Sequence, residues 1–258
     1  NLVHNEHVTN ALKKINVITI EKNLKEKSFE ILSKLDKGFL ITTAHGANIK
    51  VVQDAKKLGF THISATCPIV SNIEKQIKME IENNKKDVLY FGIKNHPELE
   101  AMISINPDKI HAIYTKEDLE KYNFKDISCA VQTTLLIEDL ERIRKIIPES
   151  NFLNTICNET TIRQTNLYKI KNLYYDTIII VGDKKSNNTN ELYRIALKKS
   201  NKVMFINEAN ELKKEIINEN EKILIVSGAS TPKEIVDQII NYIKMGIINK
   251  IDDKKILL

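Results

Sequence analysis

The feature that most constrains this chain is a repeated alternation. Short β-branched, apolar runs are separated by longer stretches with helical periodicity. The runs are INVITI (15–20), GFLITTA (38–44), THISAT (61–66), DVLYFGI (87–93), IHAIYT (110–115), ISCAVQTT (127–134), DTIIIVGD (176–183), KVMFIN (202–207) and KILIVSGA (222–229). Between them lie helical patterns such as PIVSNIEKQIKMEIENN, IEDLERIRKII, NTNELYRIALKKS and TPKEIVDQIINYIKM. Alternation on this scale predicts βα units, hence mainly parallel sheets with crossover helices in an α/β fold. The spacing suggests three similar lobes, 1–67, 68–157 and 158–258, the first two closed by Cys67 and Cys157. No Pro-rich or Gly/Ser-rich linker separates them, so close packing around a shared centre is expected.

Parallel α/β folds bind ligands beyond the carboxyl ends of their strands, where helix N-termini present N–H groups. The turns after the strands are therefore the informative segments, and here they are unusually polar. They read AHG, TCP, IKNHPE, QTT, GDKKSNNTN and SGASTP, and they carry His45, Cys67, His96, Glu98, Thr133, Thr134, Ser186, Asn188 and Ser230. A turn that merely reverses the chain needs Gly, Asn or Pro.

Composition removes several function classes. The net charge is a modest +5, and nearly all the positive charge is lysine, since the arginines are Arg142, Arg144, Arg163 and Arg194 alone. Lysines scattered along helices read as a solvated surface, whereas nucleic-acid readers gather Arg and aromatics in a patch, so no nucleic-acid partner is expected. No apolar run approaches the ~20 residues of a membrane span, and no membrane association is expected. Three cysteines without a CxxC pair exclude a zinc ribbon and fit a reducing compartment. No GxGxxG or GxxxxGK[ST] motif occurs, which argues against the usual nucleotide sites.

Each candidate also has a plainer reading. Ser186, Asn188 and Ser230 begin helices and are first of all N-caps. His7, His62 and His111 sit inside helical or strand patterns and read as structural, while His4, His45 and His96 follow apolar runs. Glu98 could favour a first helical turn or deliver a proton into a cleft. Cys129 alternates with apolar residues in mid-strand and reads as core. A thiol at the position of Cys67 is a small hydrophobe, a nucleophile or a metal ligand. Taken together, hydroxyl, amide and imidazole groups at helix N-termini suit phosphate.

The segments VHN (3–5), AHG (44–46), ATCP (65–68), HPE (96–98), QTTL (132–135), ICNETTIRQ (156–164), SNNTNEL (186–192) and SGASTP (227–232) occur in an order that resembles the 4-hydroxy-3-methylbut-2-enyl diphosphate reductases. The resemblance runs essentially end to end. It implies three α/β lobes around a central iron–sulfur cluster, 4Fe–4S or, if degraded, 3Fe–4S. It also implies two electrons from ferredoxin or flavodoxin, and reductive dehydroxylation to isopentenyl and dimethylallyl diphosphate.

By the same resemblance Cys67 and Cys157 are cluster ligands. Glu98 and Thr133, with His96, relay a proton. His4, His45, His96, Thr133, Thr134, Ser186, Asn187, Asn188 and Ser230 bind the diphosphate, Asn187 standing where many members have serine. The family's first cluster cysteine lies in a GFC-x-GV motif upstream of VHN, and the gene is expected to encode it there. A cluster-free, non-catalytic diphosphate-binding protein is the alternative reading; a transferase acting on phosphorylated sugars leaves the strand-end cysteines unexplained. The protein is expected to be a monomer. The Lys-, Asn- and Ile-rich composition suggests a plastid-type organelle (apicoplast) if the source is an A+T-rich parasite, or the cytoplasm if it is bacterial.

Overall fold

The computed structural model describes residues 6–20, 24–212, 217, 218 and 220–245. Eight of the predicted strands form, and every pairing among them is parallel. The chain divides into two compact units.

The first unit, Ile20–Cys157, holds two sheets. In one, β1 (Phe39–Thr42) pairs with β2 (Thr61–Ser64); in the other, β3 (Asp87–Phe91) lies between β4 (Ile110–Ile113) and β5 (Ile127–Val131). The helices here are α2 (Leu24–Ser33), α3 (Ile49–Lys57), α4 (Pro68–Glu82), α5 (Pro97–Ile103) and α6 (Ile137–Arg144). Both α4 and α5 begin with proline, whose fixed φ suits the first helical position and whose missing N–H would have had no partner there.

The central strand β3 shows why this sheet is buried on both faces. Its side chains alternate: Val88 and Tyr90 pack with Val70, Ile73 and Ile77 of α4, while Leu89 and Phe91 pack with Ile113, Val131 and Leu140. Cys129 lies opposite Leu89 in the register and is fully buried on that second face. Burial pushes its thiol up to about 12. The expectation that Cys129 fills the core agrees with this placement.

The second unit comprises residues 6–19 and 158–245. Its sheet has β6 (Thr177–Val181) between β7 (Lys202–Ile206) and β8 (Ile223–Ser227), with α1 (Glu6–Lys14), α7 (Asn158–Lys169), α8 (Asn187–Ala196) and α9 (Lys233–Met245). The sequence TIIIV makes β6 apolar on both faces, and the strand is buried throughout. Ile179 and Val181 pack against Ile235 and Ile239 of α9.

One expected strand does not form. Asn16 adopts φ 62°, the Asn16 N–H donates to the Lys13 carbonyl, and the Val17 N–H donates to the Leu12 carbonyl. These bonds end α1 in a Schellman motif, for which Asn is a suitable left-handed residue. INVITI therefore serves to stop a helix, and Ile18 is left 70% exposed.

Candidate active site

The turn after β3 is built to place one carboxylate. Asn95 takes φ 61°, and His96 follows in extended conformation as the N-cap of α5, two residues before Glu98. Glu98 is 1% exposed. It accepts three hydrogen bonds: from the Tyr90 hydroxyl to Oε1 at 2.7 Å, from the Thr133 amide to Oε1 at 2.8 Å, and from the Thr133 hydroxyl to Oε2 at 2.7 Å. Burial raises its affinity for a proton above the usual carboxylate range, and the bonds from Thr133 and Tyr90 pull in the other direction. The result is a buried carboxyl joined to a hydroxyl at a strand end, an arrangement that can store and pass a proton.

Beside it, His96 is 8% exposed, and its Nδ1 accepts the Glu98 amide at 3.2 Å. That bond assigns the neutral ring its proton at Nε2. The His45 ring meets it edge to face with centroids 5.4 Å apart, and His45 Nδ1 lies 3.4 Å from the Thr43 hydroxyl. Gln132, 1% exposed, ties the turns together: its Oε1 accepts from the Ile93 amide at 2.9 Å, and its Nε2 donates to the Thr134 hydroxyl at 3.1 Å. Glu98, Thr133, His96 and His45 are thus brought together within this unit, with Thr134 linked to them through Gln132.

The two thiols each directly precede a helix, Cys67 after β2 and before α4, Cys157 in the turn before α7. The Cys67 amide donates to the Ala44 carbonyl at 3.0 Å as Cys67 caps α4, and the Cys157 amide donates to the Thr133 carbonyl at 3.3 Å. Both are half-buried and free of disulfides. Among the described residues no group of three or more Cys, His, Asp or Glu side chains forms a metal site. Of the three thiols, Cys67 and Cys157 are half-buried at turns and have the exposure a cluster ligand needs, while Cys129 is sealed in the core.

In the second unit the first turn of α8 carries Ser186 and Asn188. Ser186 acts as the N-cap, its Oγ accepting the Thr189 amide at 3.4 Å. Asn188 does not cap. It is 6% exposed, and neither its Oδ1 nor its Nδ2 has a hydrogen-bond partner. The neighbouring Thr189 hydroxyl is likewise buried without a partner. It lies so close to the strand-end glycines that a Cβ on Gly228 would clash with its Oγ1, and one on Gly182 would approach it to 2.9 Å. Ser230 and Asn187 are half-buried, Ser230 in the turn after β8 and Asn187 on the first turn of α8. Arg163 Nη1 donates to the Ser227 carbonyl at 3.2 Å and so braces the start of that turn. His4 lies outside the described residues.

Sequence reasoning missed Tyr90, Gln132 and Arg163 as parts of these turns. Tyr90 reads as core in an apolar strand; Gln132 and Arg163 stand inside the quoted motifs, and no separate signal marks them. His62 and His111 are structural as expected, bonded to the Thr42 hydroxyl at 3.0 Å and the Asp87 carboxylate at 2.9 Å.

Fold and site together define a class: a parallel-sheet α/β protein with a buried, hydrogen-bonded carboxyl in one unit and unpaired buried polar groups at a strand-end turn of the other. The sequence profile of the LytB protein family matches residues 1–244, and the chain belongs to that family. It is 34% identical over 250 residues to the 4-hydroxy-3-methylbut-2-enyl diphosphate reductase of Shouchella clausii, covering 94% of this chain and 78% of that relative. It is 35% identical over the same length to the enzyme of that name from Bacillus thuringiensis, with the same coverage. Among solved structures it is similar to the E-1-hydroxy-2-methyl-but-2-enyl-4-diphosphate reductase from Plasmodium falciparum, with TM-score 0.81 and 26% identity over 99% of this chain and 85% of that one. A second solved structure, a (E)-4-hydroxy-3-methyl-but-2-enyl diphosphate reductase, matches with TM-score 0.64 and 27% identity over 94% of this chain and 85% of that one.

Proposed function

We propose that this chain reduces 4-hydroxy-3-methylbut-2-enyl diphosphate to isopentenyl and dimethylallyl diphosphate. The reaction takes two electrons and two protons, breaks the allylic C–O bond, forms a C–H bond and releases water. The observation that carries this reading is the buried Glu98 carboxyl bonded to the Thr133 hydroxyl.

Hydroxide is a poor leaving group, and a positioned acid removes that obstacle. Burial keeps Glu98 inclined to hold a proton, and Thr133 passes it to the departing oxygen. His96, with its proton on Nε2, presents a neutral donor beside this pair. The residues proposed to bind the diphosphate, on the family resemblance, are His4, His45, His96, Thr133, Thr134, Ser186, Asn187, Asn188 and Ser230. The diphosphate lies away from the reacting carbon, so its binding energy serves orientation. Asn188 supports the assignment, since a buried amide with no partner in the free protein is explained by a ligand that fills both bonds.

Cys67 and Cys157 would hold an iron–sulfur cluster at two of its irons; when bound, such a group supplies electrons singly and an iron of Lewis-acid character. Ferredoxin or flavodoxin is the proposed electron donor.

The test is iron and sulfide analysis, with turnover, of the full-length enzyme prepared without oxygen. A cluster lost in Cys67→Ala, with turnover lost alongside it, supports the proposal. A second reading is a cluster-free, non-catalytic diphosphate-binding protein of the same fold. Diphosphate binding by a full-length protein that takes up no iron would establish it.

A further inference from the structure

The three hydrogen bonds to Glu98 are not equivalent. Oε1 receives two donors, the Thr133 amide and the Tyr90 hydroxyl; Oε2 receives one, the Thr133 hydroxyl. An amide N–H cannot turn into an acceptor, so a proton placed on Oε1 would face a donor that cannot yield. A hydroxyl can exchange roles by rotation. We propose that Tyr90 is a positioning residue for proton delivery: it clamps Oε1 together with the Thr133 amide, so that the transferable proton of Glu98 resides on Oε2, facing the Thr133 hydroxyl. This rests on the assignment of Glu98 as the proton donor.

In the delivery step the Oε2–H bond breaks, Thr133 Oγ1 gains that proton, and the proton it held before leaves for the substrate oxygen. Tyr90 stays neutral throughout and ends the step donating to the ionised carboxylate. Its phenol is fully buried at the centre of a packed cluster with Ile73, Leu99 and Met102, which holds it to one position. Burial and the adjacent carboxylate push its proton affinity well above the ordinary value, so it remains a donor at any working pH. The groups that act on Glu98 are Tyr90 from β3, Thr133 from the turn after β5, and His96 on its own turn.

The experiment replaces Tyr90 by Phe in the holoenzyme, which keeps the ring and removes only the donor. Three quantities are read: the titration midpoint of Glu98 by difference infrared with Glu98→Gln as the blank, the steady-state constants, and the melting temperature. The expected result is a midpoint moved upward, because the ionised form has lost a donor, and kcat lowered about tenfold with KM unchanged. An unmoved midpoint overturns the proposal, as does a lower melting temperature with kcat and KM changed in parallel. If Tyr90→Phe does not fold, 3-fluorotyrosine at position 90 is a stronger donor and must move the midpoint downward. Full turnover in Glu98→Gln would defeat the assignment of the acid itself, while the midpoint in Tyr90→Phe would still report on the clamp.

Discussion

The strand-end turns of the two units treat their buried polar groups in opposite ways. Glu98 in the first unit has every oxygen occupied, whereas Asn188 in the second has neither amide atom paired. A buried polar group without a partner costs about 1–3 kcal/mol, so among the described residues the second unit holds a destabilising feature that Glu98 in the first does not share. Under the proposed function the difference would separate two tasks. A group that moves a proton must be oriented before substrate arrives, while a group that binds must keep its bonding capacity open until then.

The largest expected effect breaks the satisfied side. Glu98→Gln should lower turnover at saturating substrate by about a hundred- to ten-thousand-fold with the fold intact. The same variant tests the pH behaviour. Burial makes the folded state hold this proton more tightly than the unfolded chain does. The associated stability is therefore fully present below the usual carboxylate range and is lost as pH rises through the raised folded value. Melting temperatures measured against pH should flatten over that interval in Glu98→Gln.

Asn188→Leu tests the open side and should split stability from binding. Removing an unpaired amide should leave the melting temperature equal or higher, while affinity for inorganic diphosphate, read by calorimetry, falls about ten- to a hundredfold. A variant that binds as the parent does would remove Asn188 from the site.

Gly228→Ala asks how the open side is held in place. Its methyl would clash with the Thr189 hydroxyl, so either that side chain or the turn must shift, at a cost of about 1–3 kcal/mol in denaturant melts. The double variant with Thr189→Ala should recover most of that loss. Cys129→Ala should have the smallest consequence, with iron content and turnover unchanged. Native thiol labelling should likewise report Cys67 and Cys157 but not Cys129.

Much of this architecture is legible in the chain because β-branched runs followed by polar turns recur at βα spacing. The strand-end positions of Cys67, Glu98, Thr133 and Ser186 follow directly from that rule. INVITI misleads because a Schellman stop uses the same apolar residues that a strand would, and a single left-handed Asn16 decides between them. Tyr90 escapes notice because its hydroxyl is one polar atom in an otherwise apolar strand. The bonding state of Asn188 is invisible for another reason: an N-cap and an open ligand donor share one residue type and one location, and only the structure distinguishes Ser186, which caps, from Asn188, which does not.

The burial of Cys129 also makes it a built-in reporter of local opening. Once β5 pairs beside β3, Cys129 is sealed in the core and its thiolate is suppressed. A thiol reagent can reach it only when that sheet separates, so its modification rate reads the opening of the first unit's core and not events at the turns.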